Sequence, residues 1–106
     1  MKTEHPGKSL SYRLEKYGLS ASELARKINV PKNRITTIIN GKRSITGDTA
    51  LRLAHFFQTS PEYWLKLQLY FDLNEAKVKS EEAIHLLPKF HVANSTRIPK
   101  DNINDK

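Results

Sequence analysis

Residues 20–43 read SASELARKINVPKNRITTIINGKR, and this stretch decides the fold. Leu24, Ala25 and Ile28 recur at the spacing of one helix face. After a break at Asn29-Val30, Ile35, Ile38 and Ile39 repeat that spacing until Asn40-Gly41 stops the second run. Two short amphipathic helices joined by a tight turn form a helix-turn-helix, whose second member can lie in the DNA major groove. The charges from Arg26 to Arg43 belong to Arg26, Lys27, Lys32, Arg34, Lys42 and Arg43, and all are positive. A plain helical hairpin with a solvated face has no reason to exclude acids, so the run points to a reader of duplex DNA.

The spacing has physical reasons. Where two helices pack steeply, a small side chain must sit at their closest approach, and Ala25 is placed there. Ser20 and Glu23 have the spacing of a capping box for the first helix. Asn29 stands where the chain must turn and tolerates a left-handed conformation better than any residue but Gly. Pro31 costs little at the start of the second helix, whose early amides have no intrahelical acceptor. Lys32, Asn33, Thr36, Thr37 and Asn40 then point outward, with Arg34 at the edge. These side chains suit base edges and phosphates: cations for guanine or phosphate, amides for adenine, Thr for hydrogen bonds or a thymine methyl.

The rest of the composition agrees. The chain has 106 residues, enough for one small helical domain and a tail, with 18 basic against 11 acidic residues and a net charge of +7. Such basicity favours a polyanionic partner. No apolar run reaches membrane-spanning length and no signal peptide is evident, so no membrane partner is expected. The chain has no Cys, which is compatible with the expected cytoplasmic location. His5, His55, His85 and His91 are scattered without the pairing of a metal shell. No phosphate loop, nucleophile elbow or paired-carboxylate signature is present. Neither catalysis, nor a metal, nor a cofactor is expected.

Outside the central pair, His5-Pro6-Gly7 reads as a breaker before a helix whose Leu10, Leu14 and Tyr17 share a face and which ends near Gly18. Thr46 and Asp48 mark the start of a fourth helix with Ala50, Leu51, Leu53, Ala54 and Phe57 inward. Ser60-Pro61-Glu62 is a compact start signal for a fifth, running to about Leu73 or beyond. Ser80-Glu81-Glu82 reads as the start of a last short helix ended by Pro88, followed by a tail expected to be mobile. The expected fold is all-α: a five-helix domain over residues 5–79, with a C-terminal short helix and tail over residues 80–106.

The fifth helix carries two apolar stripes. Trp64, Leu67 and Phe71 form one, and Leu65, Leu69 and Leu73 form another on a different side. A small domain needs only one such face for its own core. The second is covered either by another copy of the chain, with Trp64, Leu65, Leu69 and Leu73 at a dimer interface, or by Ile84 and Leu87 folding back. The first is favoured, because helix-turn-helix proteins commonly read paired half-sites as dimers.

His5-Pro6-Gly7, NGKR-x-IT-x-x-TALRLA from Asn40 and SPEYWL-x-LQ from Ser60 occur in this order with Gly18-Leu19-Ser20 and Glu23-Leu24-Ala25. In this combination the chain resembles the HigA antitoxins of bacterial toxin–antitoxin modules, a branch of the Xre-type, repressor-like helix-turn-helix proteins. The resemblance covers residues 5–73. It implies a homodimer that binds a palindromic, inverted-repeat operator in its own promoter. Lys32, Asn33, Thr36, Thr37 and Asn40 would then meet base edges or the groove, with Arg34, Lys42 and Arg43 on phosphates. It also implies neutralisation of a small ribonuclease toxin that cleaves messenger RNA on ribosomes, a contact it assigns to no residue here. A regulator without a toxin partner, or a protein-binding inhibitor with vestigial DNA affinity, are the alternatives. Two departures stand out. Ala21 replaces the Gln that often touches phosphate in related domains, and Asn29 replaces the usual turn Gly. Lys8, Arg13 and Lys16 also make the first helix more basic than is common in the family.

Overall fold

Helix starts are fixed by groups that satisfy the otherwise unpaired first amides. The computed structural model describes residues 3–91 and contains five α-helices there: α1 Pro6–Tyr17, α2 Ala21–Ile28, α3 Lys32–Ile39, α4 Gly47–Phe57 and α5 Pro61–His85. His5 opens α1, its Nδ1 accepting from the Gly7 amide at 2.9 Å, with Pro6 as the first helical residue. The triplet read as a breaker is therefore the helix's own N-terminal cap. Ser20 and Glu23 form the expected reciprocal box on α2, at 3.0 and 2.9 Å. On α5 the Ser60 hydroxyl accepts from the Tyr63 amide at 3.0 Å. Thr46 occupies the cap position of α4 without a side-chain hydrogen bond.

The helices enclose one core built from the faces the periodicity predicted. Leu10 of α1, Leu24 of α2, Ile35 and Ile38 of α3, Leu53 of α4 and Trp64 of α5 are fully buried, and Ala25 sits among them. Gly7 sets how closely α1 approaches α3. A Cβ built on it would lie 2.0 Å from the Ile38 carbonyl oxygen, so only hydrogen fits. Arg13 lays its guanidinium against Phe57, Tyr63 and Trp64, 5.3 to 5.4 Å from each ring centre, joining α1 to α4 and α5.

Three expectations need correction, and one alternative falls away. Tyr17 shares its angle with Leu10 and Leu14 but stands at the end of α1, past the core; its exposed ring lies tilted against Phe57 at 6.3 Å. Leu51 is 61% exposed, because the buried stripe of α4 runs through Ala50, Leu53 and Ala54 and leaves Leu51 about 60° beyond its Ala54 edge. No separate helix starts at Ser80. Residues 75–85, EAKVKSEEAIH, contain neither Gly nor Pro, and α5 continues through them. Ile84 and Leu87 do not fold back on the outer stripe; both remain exposed. The expected tail beyond residue 91 lies outside the described residues.

Candidate nucleic-acid interface

Presentation of α3 begins with the turn before it. Asn29 adopts the left-handed conformation, φ 59° and ψ 54°, as the sequence required. Pro31 then leads into α3 with φ −64°. Ile35 and Ile38 anchor the helix inward. At about 100° per residue, Lys32, Thr36, Asn40, Asn33 and Thr37 fall within an outward arc of about 140°. Lys32, Asn33 and Asn40 are exposed; Thr36 and Thr37 are half-buried at the foot of the arc. The Thr37 hydroxyl donates to the Asn33 carbonyl at 2.6 Å, which fixes its rotamer and leaves both oxygen lone pairs able to accept.

A left-handed Gly41, φ 77°, closes the helix. The Gly41 amide donates to Ile38 O at 3.0 Å and the Lys42 amide to Thr37 O at 2.8 Å, the paired bonds of a Schellman motif. The motif sets Lys42 and Arg43, both exposed, directly beyond the outward arc. Farther along this loop, buried Gln68 of α5 accepts from the Ile45 amide at 2.8 Å and donates to Asp72 at 3.0 Å. The basic loop is thereby tied to the longest helix.

Arg34 is the exception among the predicted contacts. Its guanidinium donates to Asp48 at 2.6 Å, and Arg52 donates to the same carboxylate oxygen at 2.9 Å. Arg52 also donates to the carbonyls of Ile28 and Asn29, at 2.8 and 3.3 Å. It thus satisfies the C-terminal end of α2 at the turn. Hydrogen bonds from Arg34, then from Arg52, hold the Asp48 carboxyl below its ordinary value, so it stays ionised. The sequence placed Arg34 free at the edge of the reading face; the structure gives it an acid partner from α4. Arg26, Lys27, Lys32, Lys42 and Arg43 remain exposed around the pair.

The residues assigned to a dimer interface divide. Leu65, Leu69 and Leu73 are 38%, 48% and 54% exposed, and form an open stripe on α5. Trp64 belongs to the core instead, with no exposed surface and its Nε1 donating to Thr59 Oγ1 at 2.9 Å. Its assignment to the interface is corrected, since it lies about 100° from Leu65 on the inward side. Apolar periodicity does not reveal the contacts of Gly7, Asp48, Arg52 and Gln68. The usable signals were the HPG triplet, the i, i+4 spacing of Asp48 and Arg52, and a Gln in an otherwise inward row.

Residues 10–64 match a family model described as Helix-turn-helix. The solved structure of an addiction module antidote protein of the HigA family from Coxiella burnetii is 46% identical; the match covers 85% of this chain and all of that one, with a TM-score of 0.80. Antitoxin HigA from Pseudomonas aeruginosa, solved with the higBA promoter, is 29% identical over 85% of this chain and all of that one, also at 0.80. YbaQ of Escherichia coli K12, named an uncharacterized HTH-type transcriptional regulator, is 40% identical over 68% of this chain and 65% of its own length. The chain belongs to the Xre-type helix-turn-helix family, in its HigA-like branch.

Proposed function

We propose that the chain is an antitoxin that binds an inverted-repeat operator in its own promoter, represses its operon and neutralises a ribonuclease toxin. The observation that carries this reading is the outward arc of α3, followed at once by Lys42 and Arg43. Its side chains match base edges, and the cations beside them match phosphates. The P. aeruginosa relative solved with promoter DNA supports the same use of the fold. Lys32, Asn33, Thr36, Thr37 and Asn40 take the groove, while Lys42 and Arg43 take the backbone. Arg34 reaches phosphate only from its pose on Asp48, and contributes less than its charge suggests.

A homodimer completes the reading surface, because one α3 spans too few base pairs for a selective operator. Leu65, Leu69 and Leu73 supply the interface, and two copies set their α3 helices about 34 Å apart, one turn of DNA. The toxin contact uses surface left over from these tasks. A toxin that handles RNA is expected to be basic, so local acids such as Glu4, Glu15, Glu81 and Glu82 are better anchors than net charge. The place of action is the cytoplasm, with DNA and translating ribosomes at hand.

The test is genetic and biochemical together. The short reading frame adjacent to this gene is expressed alone and then with this protein. Growth arrest relieved only by co-expression, with co-purification of the two proteins, is expected. A neighbour that is harmless alone, or lethal with this chain present, would leave a regulator without a toxin as the better account.

A further inference from the structure

The outer face of α1 carries chemistry that duplex reading does not use. Lys8, Tyr12 and Lys16 follow one another at i, i+4 spacing, about 6 Å per step along the helix. Arg13 and Tyr17 form the adjacent row, and Tyr63 of α5 closes the far side. These six residues, with Ser9 and a single acid, Glu4, line an open cleft of about 460 Å³. Glu15 and Glu62 lie nearby in the chain but do not line it. Tyr12 and Tyr17 are more than half exposed. Arg13 is already fixed against three rings, and the Lys16 ammonium lies 5.6 Å from the Tyr17 ring centre. None of the lining residues belongs to α2, α3 or the Lys42-Arg43 loop.

We propose that this cleft is a second nucleic-acid site, one that takes a single strand. Cations alternating with exposed aromatic rings suit a polymer in which phosphates alternate with bases that have a free face for stacking. A duplex keeps its bases stacked on one another and offers nothing to the tyrosines. An acidic peptide would match the charge, but its backbone amides need acceptors, and the lining consists largely of donors: two Lys, one Arg, one Ser and three Tyr hydroxyls. Phosphate and sugar oxygens present acceptors throughout. Single-stranded RNA and single-stranded DNA share this chemistry.

Fluorescence anisotropy of the full chain tests the site with labelled ten-residue oligouridylate, oligothymidylate and oligoglutamate. Both oligonucleotides should bind, with a log–log salt slope of about −2 from the three cations. Tyr12→Ala combined with Tyr17→Ala should weaken that binding by roughly tenfold or more, since each ring loses a stacked base. Tyr12→Phe with Tyr17→Phe should preserve it, and the promoter duplex should bind all three proteins alike. Both rings are exposed, so these changes leave the core intact. A preference for oligouridylate marks RNA as the natural source, and the opposite preference marks DNA; either supports the site. No oligonucleotide binding at 100-fold molar excess of protein, oligoglutamate binding as tightly, or loss of single-strand binding in Lys42→Ala would overturn it.

Discussion

The two ends of α5 are the same helix under opposite conditions. Near Pro61 it lies on the body of the domain: Trp64 and Gln68 are buried, and Leu67 and Phe71 are half-buried. Over residues 75–85 every side chain except Ser80 is exposed, including Val78 and Ile84. The first end is held by packing. The second is held by composition, with helix-favouring Glu, Ala and Lys and no Gly or Pro, and with Glu75 and Lys79 at a supportive i, i+4 spacing. Long helices therefore need not be covered along their length. Apolar residues on the uncovered side, Leu65, Leu69 and Leu73, are the face that the proposed dimer would bury.

Trp64→Ala probes the packed end and should have the largest effect. Truncating so large a core residue costs about 3–5 kcal/mol. The loss should appear in chemical denaturation at every protein concentration. Leu69→Glu probes the outer stripe of the same helix. It should leave the unfolding of the single domain nearly unchanged, yet convert the proposed dimer to monomer in sedimentation and weaken operator binding by at least tenfold. Equal loss of domain stability from both substitutions would erase the distinction between the two faces.

Asp48→Asn is expected to act more gently and in the opposite direction. Removing the carboxylate charge releases Arg34 toward the duplex. Affinity for promoter and random duplex should then rise together by a few-fold, with the salt slope steeper by about 1, as one more phosphate contact implies. A binding titration across salt concentrations measures both quantities.

The smallest expected effect is on pH dependence at the packed end. Burial lowers the His5 pKa from its ordinary 6.5, with nearby Asp72 partly opposing, while Nδ1 accepts the Gly7 amide. The unfolded chain therefore binds the proton more readily than the folded one. Stability is complete above about pH 6.5 and declines as pH falls through the lowered folded value. His5→Asn can still cap α1 but cannot titrate. Thermal melts between pH 7.5 and 5 should show a shallower decline for that variant than for the parent, with the carboxylate contributions common to both.

Much of the fold was legible because it rests on local rules. The Ser20-Glu23 box, the left-handed Asn29, the Pro61 start and the inward faces around Leu24, Ile35 and Leu53 each follow from residues a few positions apart. What remained hidden depends on distant partners. Arg34 meets Asp48 and Gln68 meets Ile45 across the fold, and no short-range pattern pairs them. Gly7 looked like a breaker because the carbonyl that forbids its Cβ belongs to Ile38, which only folding brings near. Trp64 was given two roles because stripes 100° apart on one helix do not reveal which of them meets the body. The outward face of α3 was readable in full; the clamp on its edge residue was not.

Competitive binding of the wild-type chain and Asn33→Ala to promoter duplex and random duplex tests the central claim most directly. The wild type should prefer the promoter by about 1,000-fold or more at physiological salt. Asn33→Ala should narrow that preference by about 1–3 kcal/mol while leaving random-duplex affinity unchanged. Equal affinity of the wild type for the two duplexes, or an undiminished preference in variants stripped of the α3 side chains, would contradict a groove-reading α3.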